Sequence, residues 1–328
     1  GDILEENIYR EDGLLVLPKG ISIKEKEYEY LIQMKIERIE MTPFSYNRAY
    51  KDSETFTIIK DTFVNSGYWD KNTAIKITNE IKKKFKKYKK ILELFTMLRQ
   101  IDHYTFTSSI NISIIIGHLM YENKVNKVLI DFIFLSLIHD IGKIKVSKIT
   151  TQKKELNETE FREIRNHPIH SLEVLQQMGF SQKDILFVSQ THEKWDGTGY
   201  PYAMERKDIQ AFAQLIGIVE MYNAMLSPRP HREPFHLLEV LDKIKREEGS
   251  AFGKEYIDLF ESGFRPYIEG TFVELNNGMV ARVDKINEKI PLFPIITIFN
   301  ENTGEELKTI NLNRNKELRI IKKINNFE

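Results

Sequence analysis

The sequence contains no cysteine. That excludes disulfides and thiolate metal ligands, and it leaves the compartment open. Net charge is absent as well: Lys plus Arg number 48, and so do Asp plus Glu. Such a balance gives no ground for a nucleic-acid partner. The apolar run "VLIDFIFLSLIH" at 128–139 contains Asp131 and is too short to cross a bilayer, so it reads as a core helix. No signal-peptide pattern opens the chain. The expectation is a cytoplasmic protein with no membrane insertion.

What is present fits a soluble globular chain, with 41% hydrophobic and 29% charged residues. A length of 328 residues allows two or three domains. Residues 1–52 mix turn signals with short alternations, as in "REDGLLVLPKG", and a helical pattern over "IKEKEYEYLIQMKI"; they read as a small α+β module. Residues 53–97 read as a helical linker. There Ile81, Phe85, Tyr88, Leu92 and Phe95 share one face and lysines occupy the rest. A solvated helix face accounts for those lysines better than an anion-binding surface does. Residues 98–267 carry successive apolar helices. Asn157 with Glu160 forms a capping-box pattern, Pro168 is tolerated in a first turn, and Gly179 fits a helix end. From 268 the pattern changes to strands around Asn-Gly and a second turn, a small all-β appendage.

Several side chains could carry chemistry. His139 and Asp140 close an apolar helix in "LIHDIGK". Buried together, they are costly unless paired or holding a cation, and a locally paired core histidine explains them equally well. Lys143, four residues on, projects from the same face. His167 and His192 could complete a set of N and O ligands suited to iron, manganese or zinc, although each alone is more often an ordinary histidine. "DGTGYP" has Gly197 and Gly199 free to take positive φ, with Tyr200 able to stack on a base or on a partner; a plain structural turn is the alternative. "SPRPHR" places Arg229 and Arg232 where they could fork onto phosphate oxygens, or form a solvated basic turn.

Together, "HDIGK", "HP", "HE..DGTGYP" and "RP.R" resemble the HD-GYP family of metal-dependent phosphohydrolases, in its order and near its spacing. The resemblance covers residues 98–265. "GTFVELNNGMVARVDKIN" is similar to the β tail that often follows such domains, and the opening segment to an N-terminal module of some members. What this implies is a mainly α fold, an HD-superfamily helical bundle with the two small flanking regions. It further implies hydrolysis of cyclic di-GMP at a two- or three-metal centre. His139, Asp140, His167, His192 and Glu220 would be metal ligands, with Asp140 bridging. Lys143, Tyr200, Arg229 and Arg232 would face the substrate, and Lys143 and Asp140 would act in catalysis.

The chain departs from the family pattern at its ligands. "YT..HS" is "YTFTSS", so Ser108 stands at a histidine position. "HHE" is "THE", so Thr191 stands at another. "D..DA" gives Glu220 and Asn223. Hydroxyls are poor ligands for these cations beside imidazole. His103 lies about 140° around the helix from Ser108 and His118 some 15 Å along it; His170, one turn beyond His167, could approach better, but a helix-surface residue explains it more readily, so none is a convincing replacement. The expectation is a degenerate HD-GYP protein with an impaired metal centre. It would be a cyclic di-GMP-related binding or regulatory module with weak or no hydrolysis. The alternative is an active cyclic di-GMP phosphodiesterase with an atypical ligand set. The cofactor would be a divalent metal, iron or manganese, held sub-stoichiometrically or not at all. Partners would be a cyclic di-nucleotide, a signalling protein through the Gly199-Tyr200-Pro201 loop, and a second copy as homodimer.

Overall fold

The structure is a computed structural model. It describes residues 2–324 except 11–12, 25–26, 28, 30, 32–40, 43–50, 153–156, 229–232, 268, 288–290, 301–302 and 316.

The N-terminal module is built from two antiparallel pairs. β1 (Ile3–Leu4) pairs with β4 (Met41–Thr42), and β2 (Ile8–Tyr9) with β3 (Leu15–Leu17). Gly13 makes the β2–β3 turn at φ +80, and a Cβ there would meet Asn65 O at 2.7 Å. Leu4, Ile8, Leu17, Ile21, Ile23 and Leu31 form its own small core. Of the helix expected over 23–36, Glu27, Glu29 and Leu31 are helical; most of the rest lies outside the described residues.

The helical body begins with α1 (Asp52–Asn65), α2 (Lys71–Lys87) and α3 (Lys89–Ile101). Asp70 caps α2, its carboxylate accepting from Asn72 N and Thr73 N. The continuous face read across 81–95 is broken at Tyr88, which leaves the helical region at φ −113, ψ 61. Ile81, Phe85 and Phe95 are nevertheless fully buried, so the stretch expected as a linker packs into the main core. α4 (His103–Glu122) runs through the middle, with every residue from Ser109 to Met120 buried. A helix buried on all sides must sit there. α5 (Leu129–Ile138) packs along it. α6 (Lys143–Gln152), α7 (Glu158–Ile164), α8 (His167–Gln177), α9 (Gln182–Ser189), α10 (Ala211–Leu226), α11 (Leu237–Arg246) and α12 (Lys254–Gly263) complete the body. The Asn157–Glu160 capping box opens α7, Pro168 sits in the first turn of α8, and Gly179 follows α8 at φ +76.

The C-terminal sheet is antiparallel in the order β8-β7-β6-β5-β9. Its strands are β5 (Phe272–Leu275), β6 (Val280–Lys285), β7 (Ile295–Phe299), β8 (Glu306–Asn311) and β9 (Ile320–Ile324). Gly278 supplies the positive φ, +84, of the Asn-Gly hairpin. β9 closes the sheet against β5, a long-range pairing that no hairpin signal announces. The chain is thus mainly helical, with a small α+β region before the helical body and a small β-sheet after it. Among the described residues no helix is long and apolar enough to cross a membrane.

Candidate metal centre

α5 delivers His139 and Asp140 to the middle of the body and then stops. Turn bonds from Ile141 N to Ile138 O (3.1 Å) and from Lys143 N to Asp140 O (2.9 Å) turn the chain into α6. His139 and Lys143 therefore do not share a helical face, contrary to the spacing. Lys143 instead folds back onto Asp140, its Nζ 2.5 Å from Oδ2. Gly142 explains the break. Its N–H donates to Ser171 Oγ at 2.8 Å, and a Cβ there would lie 2.3 Å from both His167 O and Ser171 N. Only glycine lets this turn press against the start of α8, and that contact brings Asp140 to His167.

The imidazoles are set by the same local device. His139 Nδ1 lies 2.7 Å from Ser136 O, and His167 Nδ1 lies 2.7 Å from Ile164 O. A carbonyl only accepts, so each Nδ1 carries a hydrogen and each ring turns its Nε2 inward. Metal-binding histidines are typically fixed in this way. His139 Nε2 faces Glu220 Oε1 at 3.0 Å and Asp140 Oδ2 at 3.5 Å. His167 Nε2 faces Asp140 Oδ1 at 3.2 Å and His192 Nε2 at 2.8 Å. Asp140 Oδ1 is buried and receives no hydrogen bond. The approach of His167 Nε2 to that oxygen calls for a proton or a cation between them.

Two groups of three donors result, Asp140–His167–His192 and His139–Asp140–Glu220, each with ligand atoms within 4.8 Å of one another. They share Asp140. Burial works against the charge on Asp140, but Lys143 and His139 hold it well below the usual carboxylate range. Burial likewise opposes ionisation of Glu220, and His192 and His139 outweigh it. For His139, burial favours the neutral ring, yet Asp140 and Glu220 raise its proton affinity. Burial lowers His192 to about 4, leaving it neutral and able to donate an electron pair at neutral pH. Two carboxylates and three imidazoles thus converge beside the Lys143 ammonium. Such nitrogen and oxygen donors fit a divalent cation of the iron, manganese or zinc kind.

The substituted positions lie alongside. Ser108 Oγ accepts from Asn223 Nδ2 at 3.0 Å. Thr191 is buried, its hydroxyl turned toward Val188 O at 3.4 Å. Both line a cleft of about 340 Å³ with Asp140, Lys143, His192, Tyr200 and Glu220. His103 faces Glu27 at 3.6 Å, His118 packs edge-on to Tyr68 and Trp69, and His170 faces Glu163 and Glu173. None enters either donor group. Arg229 and Arg232 lie outside the described residues.

The Gly-Tyr-Pro loop is tied to the site from below. Tyr200 stacks on His192, centroids 4.9 Å apart at 15°, and the Arg165 guanidinium lies 4.6 Å from the same ring. Gly197 takes φ +80 as its composition suggested. Gly199 does not have a positive φ; its role is close approach, since a Cβ would lie 2.3 Å from Lys194 N. Glu193, not singled out by sequence reasoning, anchors the loop. It is buried, and its two oxygens accept from Tyr202 N at 2.6 Å and Met204 N at 2.9 Å. Its place inside the motif was the available signal.

Comparison with known proteins agrees with this geometry. Residues 121–255 match the HD domain family, and residues 272–328 match the KOW domain associated with HD domain. Cyclic di-GMP phosphodiesterase PdeB of Borreliella burgdorferi is 25% identical over 202 residues, covering 61% of this chain and 53% of that protein. Cyclic di-GMP phosphodiesterase PA4108 of Pseudomonas aeruginosa is 25% identical over 231 residues, covering 69% and 55%. The 3'3'-cGAMP-specific phosphodiesterase 1 of Vibrio cholerae is 31% identical over 147 residues, covering 44% and 34%. The helical body with its paired His-Asp donors is that of an HD-domain protein. The HD-domain match, the Gly-Tyr-Pro loop beside those donors and these relatives support an HD-GYP assignment for the helical body. The chain spans about half the length of the first two relatives.

Proposed function

We propose that this chain is an HD-GYP module with a reduced metal centre, which binds a cyclic dinucleotide and hydrolyses it slowly or not at all. The observation that carries this reading is the fate of Ser108. Its oxygen is engaged by Asn223 and offers no imidazole to the cleft. Thr191 adds none on the other side. Each donor group is therefore left with three members.

In this reading His139, Asp140 and Glu220 would hold one cation, and Asp140, His167 and His192 a second. A divalent metal bound there acidifies a water and withdraws charge from a phosphodiester. Lys143 adds positive charge beside Asp140, and Arg229 and Arg232 would meet the outer phosphate. Tyr200 holds His192 in place and presents the loop to the ligand or to a signalling partner. Residues 98–267 would be the nucleotide-binding unit, with 1–52, 53–97 and 268–328 as flanking input, linking and output segments.

A second reading, a working cyclic dinucleotide phosphodiesterase with an atypical ligand set, has its own support. Three protein donors plus an open position are the usual makeup of catalytic zinc sites, and both groups here have three. One experiment separates the two. Protein purified without chelator is analysed for metal and assayed on cyclic di-GMP and on 3'3'-cGAMP. Sub-stoichiometric metal with nucleotide binding and little product supports the reduced centre. Stoichiometric iron or manganese with linear product formation overturns it. The double substitution Ser108→His and Thr191→His should raise metal loading; no gain would mean that these positions do not face the cation.

A further inference from the structure

The N-terminal module is wired into the helical body directly behind the cleft. Asn111 on α4 pairs with the backbone of β3 as a neighbouring strand would: its Oδ1 accepts from Leu15 N at 2.9 Å, and its Nδ2 donates to Leu15 O at 2.8 Å. Ser108 lies one turn earlier on the same helix. Beside this clamp Arg10 crosses from the module to α10. Its Nη1 donates to Asn223 Oδ1 at 3.3 Å, Asn223 O at 3.3 Å and Ser227 Oγ at 2.9 Å. Arg10 is 6% exposed and Asn223 1%.

The chemistry of this contact has a direction. A guanidinium only donates, so it holds the oxygen of the Asn223 carboxamide toward itself. The amide nitrogen is then left to donate to Ser108 Oγ. Flipping the carboxamide would set its amide nitrogen, a donor, against the Arg10 guanidinium, another donor. Asn223 also stands one turn after the ligand candidate Glu220 on α10. Tyr104 and Ser108 line two cavities at once, the cleft with Asp140 and Glu220 and a smaller one bounded by Leu15 and Val16. They form the wall between the module and the site.

We propose that Arg10 is a positioning residue through which the N-terminal module sets the geometry of the cleft. Arg10 orients Asn223, and Asn223 orients Ser108 and steadies the turn of α10 that carries Glu220. Ser108 Oγ then uses an electron pair on Asn223 and keeps its hydrogen for an anionic oxygen of the ligand. A change in the seating of the module would release both residues together. The consequence at the cation rests on the metal-centre reading above; the relay itself does not.

The test compares Arg10→Met, Arg10→Lys, Asn223→Ala and the double variant Arg10→Met/Asn223→Ala in the full chain. Backbone hydrogen exchange over residues 104–111 and 217–226 is read together with the Mn²⁺ dissociation constant. Arg10→Met should speed exchange in both segments and weaken Mn²⁺ binding by roughly 2- to 30-fold, the usual range for residues coupled through a shared network. Arg10→Lys should restore part of both effects. Asn223→Ala should match Arg10→Met, with no further change in the double variant. Additive effects, or a lower melting temperature with unchanged exchange at 217–226 and unchanged Mn²⁺ affinity, would overturn the relay. If the unaltered protein takes up no Mn²⁺, the metal-centre reading fails, and the exchange measurement alone decides the relay.

Discussion

Gly142→Ala should dismantle the proposed metal centre without touching any of the candidate ligands. Gly142 lies two residues after Asp140 and presses on the first turn of α8, which carries His167. The added methyl would sit 2.3 Å from His167 O and Ser171 N, where ordinary contacts begin at 3.4 Å. The two backbones must part by about 1.1 Å, and neither neighbour is a flexible side chain. Overpacking of this kind costs about 1–3 kcal/mol. The Gly142 N–H to Ser171 Oγ bond is lost with it, about 1 kcal/mol more. The same parting acts on the 3.2 Å approach of Asp140 to His167, which helps to make Asp140 common to both donor groups. Disturbing the support of a ligand typically weakens metal binding about 10- to 100-fold. Calorimetric titration with Mn²⁺, alongside thermal unfolding, measures both effects. Gly179→Ala is the control: it too strains the backbone, at φ +76, but nothing lies within 4 Å of its Cβ. It should lower the melting temperature and leave Mn²⁺ affinity alone. A Gly142→Ala protein that binds Mn²⁺ as tightly as the parent would refute the reasoning, because Asp140 and His167 would then not depend on this contact.

Glu193→Ala leaves the Tyr202 and Met204 amides without their acceptor, at a cost of about 2–5 kcal/mol, whereas Glu193→Gln keeps one oxygen and should lose less. Limited proteolysis at 196–206 reports it, and equal resistance in both variants would remove Glu193 as the anchor. Asp61 on α1 provides a pH test remote from the cleft. Burial raises its pKa, so the folded state favours the neutral acid, and ionisation as pH rises through that raised value costs stability. Asp61→Asn should therefore melt higher than the parent at pH 7, and the gap should close as pH falls below the ordinary value of 3.8. A gap independent of pH would mean that the charge of Asp61 is not what burial penalises.

The motif residues were legible because each needs only its own neighbours in the chain. His139 and His167 both sit just past a helical turn whose i−3 carbonyl fixes the ring, a local arrangement that "HD" and "HP" already contain. What the spacing could not supply was whether the helix continues between His139 and Lys143. That was decided by Gly142 meeting α8, a contact 29 residues away in sequence through Ser171. Gly199 was recognised as special for the wrong reason, since a glycine can serve close approach as well as positive φ, and only the packed neighbour distinguishes them. The Arg10–Asn223 contact spans 213 residues, and no pattern in either segment points to the other. The substitutions at 108 and 223 were visible singly, as ligands lost. Joined by one carboxamide and held by Arg10, they are a single change: a stretch of α4 and α10 that would have offered donors to a cation offers them to each other and to the N-terminal module. In the proposed reading such a site trades part of its affinity for metal for a connection to the rest of the chain, and restoring histidine at 108 should weaken that connection as it strengthens the site.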